Sequence, residues 1–147
     1  MANEHSLVTQ KTFPVSMTVA NATGIEKGSL LKLTDPNTVI LHAAELDPIA
    51  GILYTEKIAS DGNTKALVLT GPGDILKATA SGSITVNDPV YAADAANTFI
   101  NYLFSGKALS NIELSGSTRV GISLETATTG QTFKYVLNLH TSQGENV

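Results

Sequence analysis

The 147-residue chain predicts an all-β fold, and three observations carry that prediction. Apolar residues recur with period two in short runs. Val15, Met17 and Val19 alternate with Ser16 and Thr18, as one half-buried strand requires. Turn chemistry punctuates the chain every few residues, at Asn21-Ala22-Thr23-Gly24, Lys27-Gly28, Ser60-Asp61-Gly62-Asn63 and Gly71-Pro72-Gly73-Asp74. Finally, one hairpin plan occurs twice. Pro48 to Thr70 reads as a strand containing Gly51-Ile52, an Asp-Gly turn and a second strand. Arg119 to Leu137 repeats the plan around Gly121-Ile122 and Gly130.

Taken in order, residues 1–12 are polar apart from Leu7-Val8 and read as a flexible N-terminal arm. A single β-domain is expected over 13–140, with strands at about 13–19, 30–33, 38–43, 49–55, 65–70, 75–80, 90–92 and 98–104 before the final hairpin. Three of the five prolines, Pro36, Pro48 and Pro89, follow an Asp and hold that residue extended at a strand mouth or turn. The stretch 105–117 has helical spacing at Leu109 and Ile112, so at most one or two short helices are expected. The tail 141–147 is polar and expected to fray. These elements predict one compact all-β unit of short strands and hairpins.

The two halves, about 24–71 and 83–140, superpose as an internal repeat. Gly28 to Leu33 aligns with Asp88 to Ala93 at an offset of 60. Gly51 aligns with Gly121 at 70, and Thr64 to Leu69 with Thr132 to Leu137 at 68. Alternation in the second copy puts Val120, Ile122 and Leu124 on the inner face. Transfer to the first copy puts Ala50, Ile52 and Tyr54 inside, with Leu67 and Leu69. Ile49 and Leu53 are then left on an outer face, as subunit contacts or as a surface covered by a loop of the same chain.

Composition excludes several functions. A net charge of −4 and a pI near 5.2 disfavour a nucleic-acid surface. There is no Cys for a disulfide framework or thiolate metal site. No apolar run approaches a membrane span, and the first residues lack the basic and apolar regions of a signal peptide. His5, His42 and His140 lack ligand spacing, acidic residues are scattered singly, and no nucleophile elbow, phosphate loop or dinucleotide fingerprint occurs. No enzyme, metal or cofactor is expected.

Thr23-Gly-Ile-Glu-Lys-Gly-Ser-Leu-Leu-Lys-Leu33, Pro48-Ile-Ala-Gly-Ile-Leu53, Asp61-Gly62, Asn87-Asp-Pro-Val-Tyr91 and Arg119-Val-Gly-Ile122 follow one another after a polar arm. In this series, over roughly residues 20–140, the chain resembles the head-decoration, or cement, proteins of tailed bacteriophages. The resemblance implies a single barrel-like or tulip-like β-domain that forms a homotrimer, made in the host cytoplasm, on the outer surface of the virion. It would clamp an expanded shell of major capsid protein against the pressure of packaged DNA, with no nucleic-acid or membrane partner. The arm, through Leu7, Val8, Lys11 and Phe13, is then the expected capsid contact, by adding a strand to a sheet edge. The alternative is a non-catalytic β module that binds glycans or a host surface, as the base of a head fibre.

Overall fold

A computed structural model describes residues 3–100 and 119–139, apart from 36, 45–47 and 95. Its strands are β1 (Ser6–Thr9), β2 (Val15–Thr18), β3 (Leu30–Asp35), β4 (Thr38–Leu41), β5 (Ile49–Leu53), β6 (Lys65–Leu69), β7 (Ile75–Ala80), β8 (Pro89–Ala92), β9 (Thr98–Ile100), β10 (Gly121–Ser123) and β11 (Thr132–Leu137). The predicted strands therefore form as far as they are described, residues 101–104 of the expected strand 98–104 lying outside the described residues, and β1 is added where a free arm was expected. The stretch 105–117 and the tail lie outside the described residues.

The strands close into two small barrels rather than one. Barrel 1 runs β2-β4-β3-β5-β6 and back to β2. Barrel 2 runs β7-β9-β8-β10-β11 and back to β7. Each contains one parallel pair, β2–β4 and β7–β9, and the remaining pairs are antiparallel. Each also carries one isolated bridge at the same place, Ile25 to Lys57 and Ile84 to Ala127. The halves thus repeat strand for strand. The repeat units start earlier than the sequence placed them, at β2 and β7.

Pairing fixes which residues correspond. Leu30 pairs with Ile52 and Ile52 with Leu69, while Pro89 pairs with Ile122 and Ile122 with Val136. The β3/β8 and β6/β11 offsets are each one residue shorter than alignment by residue type gave. A one-residue slip reverses the faces of a strand. Leu67, expected inside, is 37% exposed, while Ala66 and Val68 fill barrel 1. Ile122, also expected inside, is half-buried between the inward-facing Gly121 and Ser123.

Two close approaches hold the repeated hairpin together. A Cβ on Gly51 would lie 2.2 Å from the Leu69 carbonyl oxygen, and one on Gly121 would lie 2.0 Å from that of Val136. Only glycine lets these backbones meet. Lys57 marks a divergence between the copies. Its ammonium is buried where barrel 2 has Ala127, and it donates to the Ile58 carbonyl and, at 2.7 Å, to Asp61 Oδ1. That hydrogen bond holds the Asp61 carboxyl below the ordinary carboxylate range.

Gly51→Ala is expected to destabilise the fold by about 1–3 kcal/mol, the usual cost of overpacking a close contact. Urea unfolding followed by circular dichroism measures it, and a midpoint equal to that of the parent would refute the account of this hairpin.

Candidate interaction surface

β5 is buried along its whole length because it has a barrel on each side. Ala50 and Leu53 belong to the core of barrel 1, with Leu31, Val39, Ala66 and Val68. Ile49, Ile52, Leu30 and Leu69 join the core of barrel 2, with Leu76, Phe99 and Tyr135. Burying side chains of this size contributes about 2 kcal/mol each. Ile49 and Leu53, taken from sequence as an outer face, are 6% and 1% exposed and offer no surface to a neighbouring subunit. The alternating pattern missed Ile49 because that face of β5 meets the second barrel instead of solvent, and it missed Leu53 because β5 shifts register against β3 and turns both Ala50 and Leu53 into barrel 1.

The N-terminal segment seals the junction. β1 pairs antiparallel with the first half of β7, while β9 pairs with the second half. The His5 N–H donates to the Gly28 carbonyl at 2.7 Å, an approach that a Cβ at residue 28 would block, since it would fall 2.3 Å from the His5 carbonyl oxygen. The His5 ring lies 3.0 Å from the Asn97 carbonyl, which can only accept, so Nε2 carries the proton. Nδ1 then accepts the Tyr135 hydroxyl at 2.6 Å. Phe99 and Tyr135 meet the imidazole edge-to-face at 4.8 and 5.5 Å. Asn97 Oδ1 accepts the Leu30 N–H at 2.8 Å, and His42 Nε2 donates to the Ala93 carbonyl at 2.7 Å. The β8–β9 turn of barrel 2 is thereby held by three groups from earlier in the chain. Burial, with a smaller push from His42, lowers the His5 pKa to about 4, and burial raises that of Tyr135 well above 10.

Beyond β1, Asp74 fixes the chain again. This buried carboxylate accepts the N–H groups of Lys11 (2.6 Å) and Thr12 (2.9 Å), as well as the Thr12 hydroxyl. The next residue, Phe13, is 90% exposed, with Val8 at 46%. Leu7 turns the other way and lines a small recess with Ile52, Tyr54, Leu69 and Leu76. Of the residues expected to contact a shell, Leu7, Val8, Lys11 and Phe13 therefore lie on one held segment, and Val8 and Phe13 project from it. A flexible arm would leave such residues without a defined geometry, whereas β1 and Asp74 give them one.

The recess has a volume of about 20 Å³, room for a water molecule. Among the described residues no three His, Asp or Glu side chains come together as metal ligands, and no helix is long and apolar enough to cross a membrane.

Residues 8–138 match the family model described as phage cement protein. A similar solved structure is the N base of the head fibre protein gp8.5 of bacteriophage phi29. It is 19% identical with a TM-score of 0.52, and the match covers 84% of this chain and 93% of that one. At that identity the likeness concerns the fold. No curated protein sequence matches the chain.

The account of His5 predicts a pH dependence. Its pKa is about 4 folded against about 6.5 unfolded, so the unfolded chain takes up the proton first as pH falls. His5 costs no stability above pH 6.5, and it subtracts up to about 3 kcal/mol between pH 6.5 and 4. The stability advantage of the parent over His5→Gln is expected to shrink across that window in urea titrations. A constant difference would show that the ring is not a buried neutral acceptor.

Proposed function

This chain belongs to the phage cement protein family and is a structural component of the capsid surface that stabilises the shell, and from that premise we propose that it acts by binding alone, as a homotrimer that meets the major capsid protein through residues 7–13. The observation carrying the proposal is Phe13, nearly fully exposed on a segment tied down on both sides, by β1 and Asp74 before it and by β2 after it. An apolar side chain displayed on an ordered support gains contact area on binding without the cost of ordering a free arm. β1 is also the terminal strand of its sheet, so a shell segment can pair with its outer edge through main-chain hydrogen bonds. Three such segments on one trimer raise the effective affinity far above that of one.

Glycan or host-surface recognition finds less support. Phe99, Phe133 and Tyr135 are spent in the core, and the chain has no Trp.

Phe13→Ser is expected to weaken co-sedimentation with expanded shells at least tenfold while leaving the melting temperature and oligomeric state unchanged. Undiminished shell binding would remove Phe13 from the contact. Deleting residues 1–12 is a poorer test, because it removes β1 and His5 and with them part of the fold.

A further inference from the structure

Because the two barrels repeat each other, the face that barrel 1 uses against barrel 2 also exists on barrel 2. In barrel 1 the row Leu30, Ile52, Leu69 points outward and is 0%, 1% and 2% exposed, because barrel 2 covers it. The corresponding row in barrel 2 is Pro89, Ile122, Val136, extended by Ile75, which pairs with Val136. All four are apolar, in register across four strands, and only half-buried. Lys77 and Lys134, paired in the ladder two residues further along, border this stripe.

The surface that receives the row is duplicated as well. In barrel 2 it includes Leu76, 1% exposed beside Leu69 and Ile52, and Asn97, whose side chain is buried against Leu30. Pairing places Val15 and Asn37 at the corresponding positions of barrel 1. Val15 pairs with Val68 as Leu76 pairs with Tyr135, and Asn37 shares the φ of 59° found at Asn97. Here, however, Val15 is 44% exposed, Leu33 on β3 of the same barrel is 42% exposed, and Asn37 is exposed. The chain therefore carries an apolar row that has lost its cover and a receiving surface that has lost its row.

We propose that these two surfaces meet between copies of this chain: the Pro89–Ile122–Val136 stripe on barrel 2 of one protomer covers the Val15, Leu33 and Asn37 surface on barrel 1 of the next, repeating between chains the contact made within each. The occupant is a second copy because both halves of a known contact are present on the same molecule, and among the described residues each is more exposed than its counterpart in the contact between the barrels. Such a contact is head-to-tail, so it closes into a ring or runs on as a filament. Closure at three copies gives a ring of six barrels, and this part rests on the trimer reading above. One polar element cannot be repeated. Pro89 has no N–H for Asn37 to accept, where Leu30 has one for Asn97. The contact between chains is thus more apolar than the one within them.

The test uses the full chain. Light scattering over a range of concentrations is expected to show the parent as a closed oligomer and Ile122→Glu as a monomer with an unchanged melting temperature. Since the chain has no cysteine, Val15→Cys/Val136→Cys supplies a second readout that does not depend on a charge being tolerated. These positions correspond to Leu76 and Leu69, which line one recess together. Oxidation is expected to give a ladder ending at the closed ring, with no ladder from the control Ile58→Cys/Val136→Cys. A parent oligomer that survives Ile122→Glu, or crosslinks no faster through Val15 than through Ile58, overturns this contact and leaves the trimer standing. A parent that stays monomeric overturns both.

Discussion

The structure depends on one junction, the packing of the Leu30–Ile52–Leu69 face of barrel 1 against the core of barrel 2. Neither barrel is large, and a five-stranded barrel of three- to six-residue strands encloses few side chains. Joining them buries β5 on both faces and merges the outer row of one barrel with the interior of the other. The polar groups at the junction are arranged around that apolar contact. Asn97 satisfies the Leu30 N–H, His42 satisfies the Ala93 carbonyl, and His5 joins Tyr135 to the Asn97 carbonyl. Buried donors and acceptors of this kind are costly when left unpaired, so they fix the relative position of the barrels as well as stabilising it.

The same junction determines how much of the fold was legible in the sequence. Strand existence was readable, because local alternation and Gly, Asn and Asp turns act within a few residues. The repeat was readable from Gly51 and Gly121, since each is required by a backbone approach that no other residue permits. Facing was not. Ile49 looks like a surface from β5 alone and becomes core only when the second barrel is in place, while Leu53 turns into the core of its own barrel. The one-residue error at β6 arose because Leu67 and Leu69 resemble Tyr135 and Leu137 in polarity, whereas the pairing matches Ala66 and Val68 to Phe133 and Tyr135. β1 was missed for a related reason. A four-residue strand with every side chain exposed carries no pattern, and its place is set by His5 and by the edge of β7. The residues expected to meet a shell, Leu7, Val8, Lys11 and Phe13, were picked from sequence as the apolar positions of a polar arm together with one lysine. Nothing in the sequence revealed the Asp74 clamp that holds them, because it joins residues more than sixty positions apart.

A cement protein is a structural component of the capsid, and the described residues of this chain are distributed in keeping with that role. Among the described residues Phe99, Phe133 and Tyr135 pack in the core of barrel 2, and the buried His5 and His42 are spent on holding backbone in place. The two proposed contacts both lie on the surface: a held segment that displays Phe13 and a half-buried apolar row on the second barrel. A clamp works through many weak contacts made at once, so the relevant property is rigidity of presentation, which the junction supplies.

The central claim is that this protein stabilises a phage shell by binding to it. The direct measurement is the temperature at which purified, expanded, DNA-filled shells release their DNA, with and without saturating protein. The account predicts that bound protein raises this temperature, in step with occupancy. Release at the same temperature at full occupancy would contradict it.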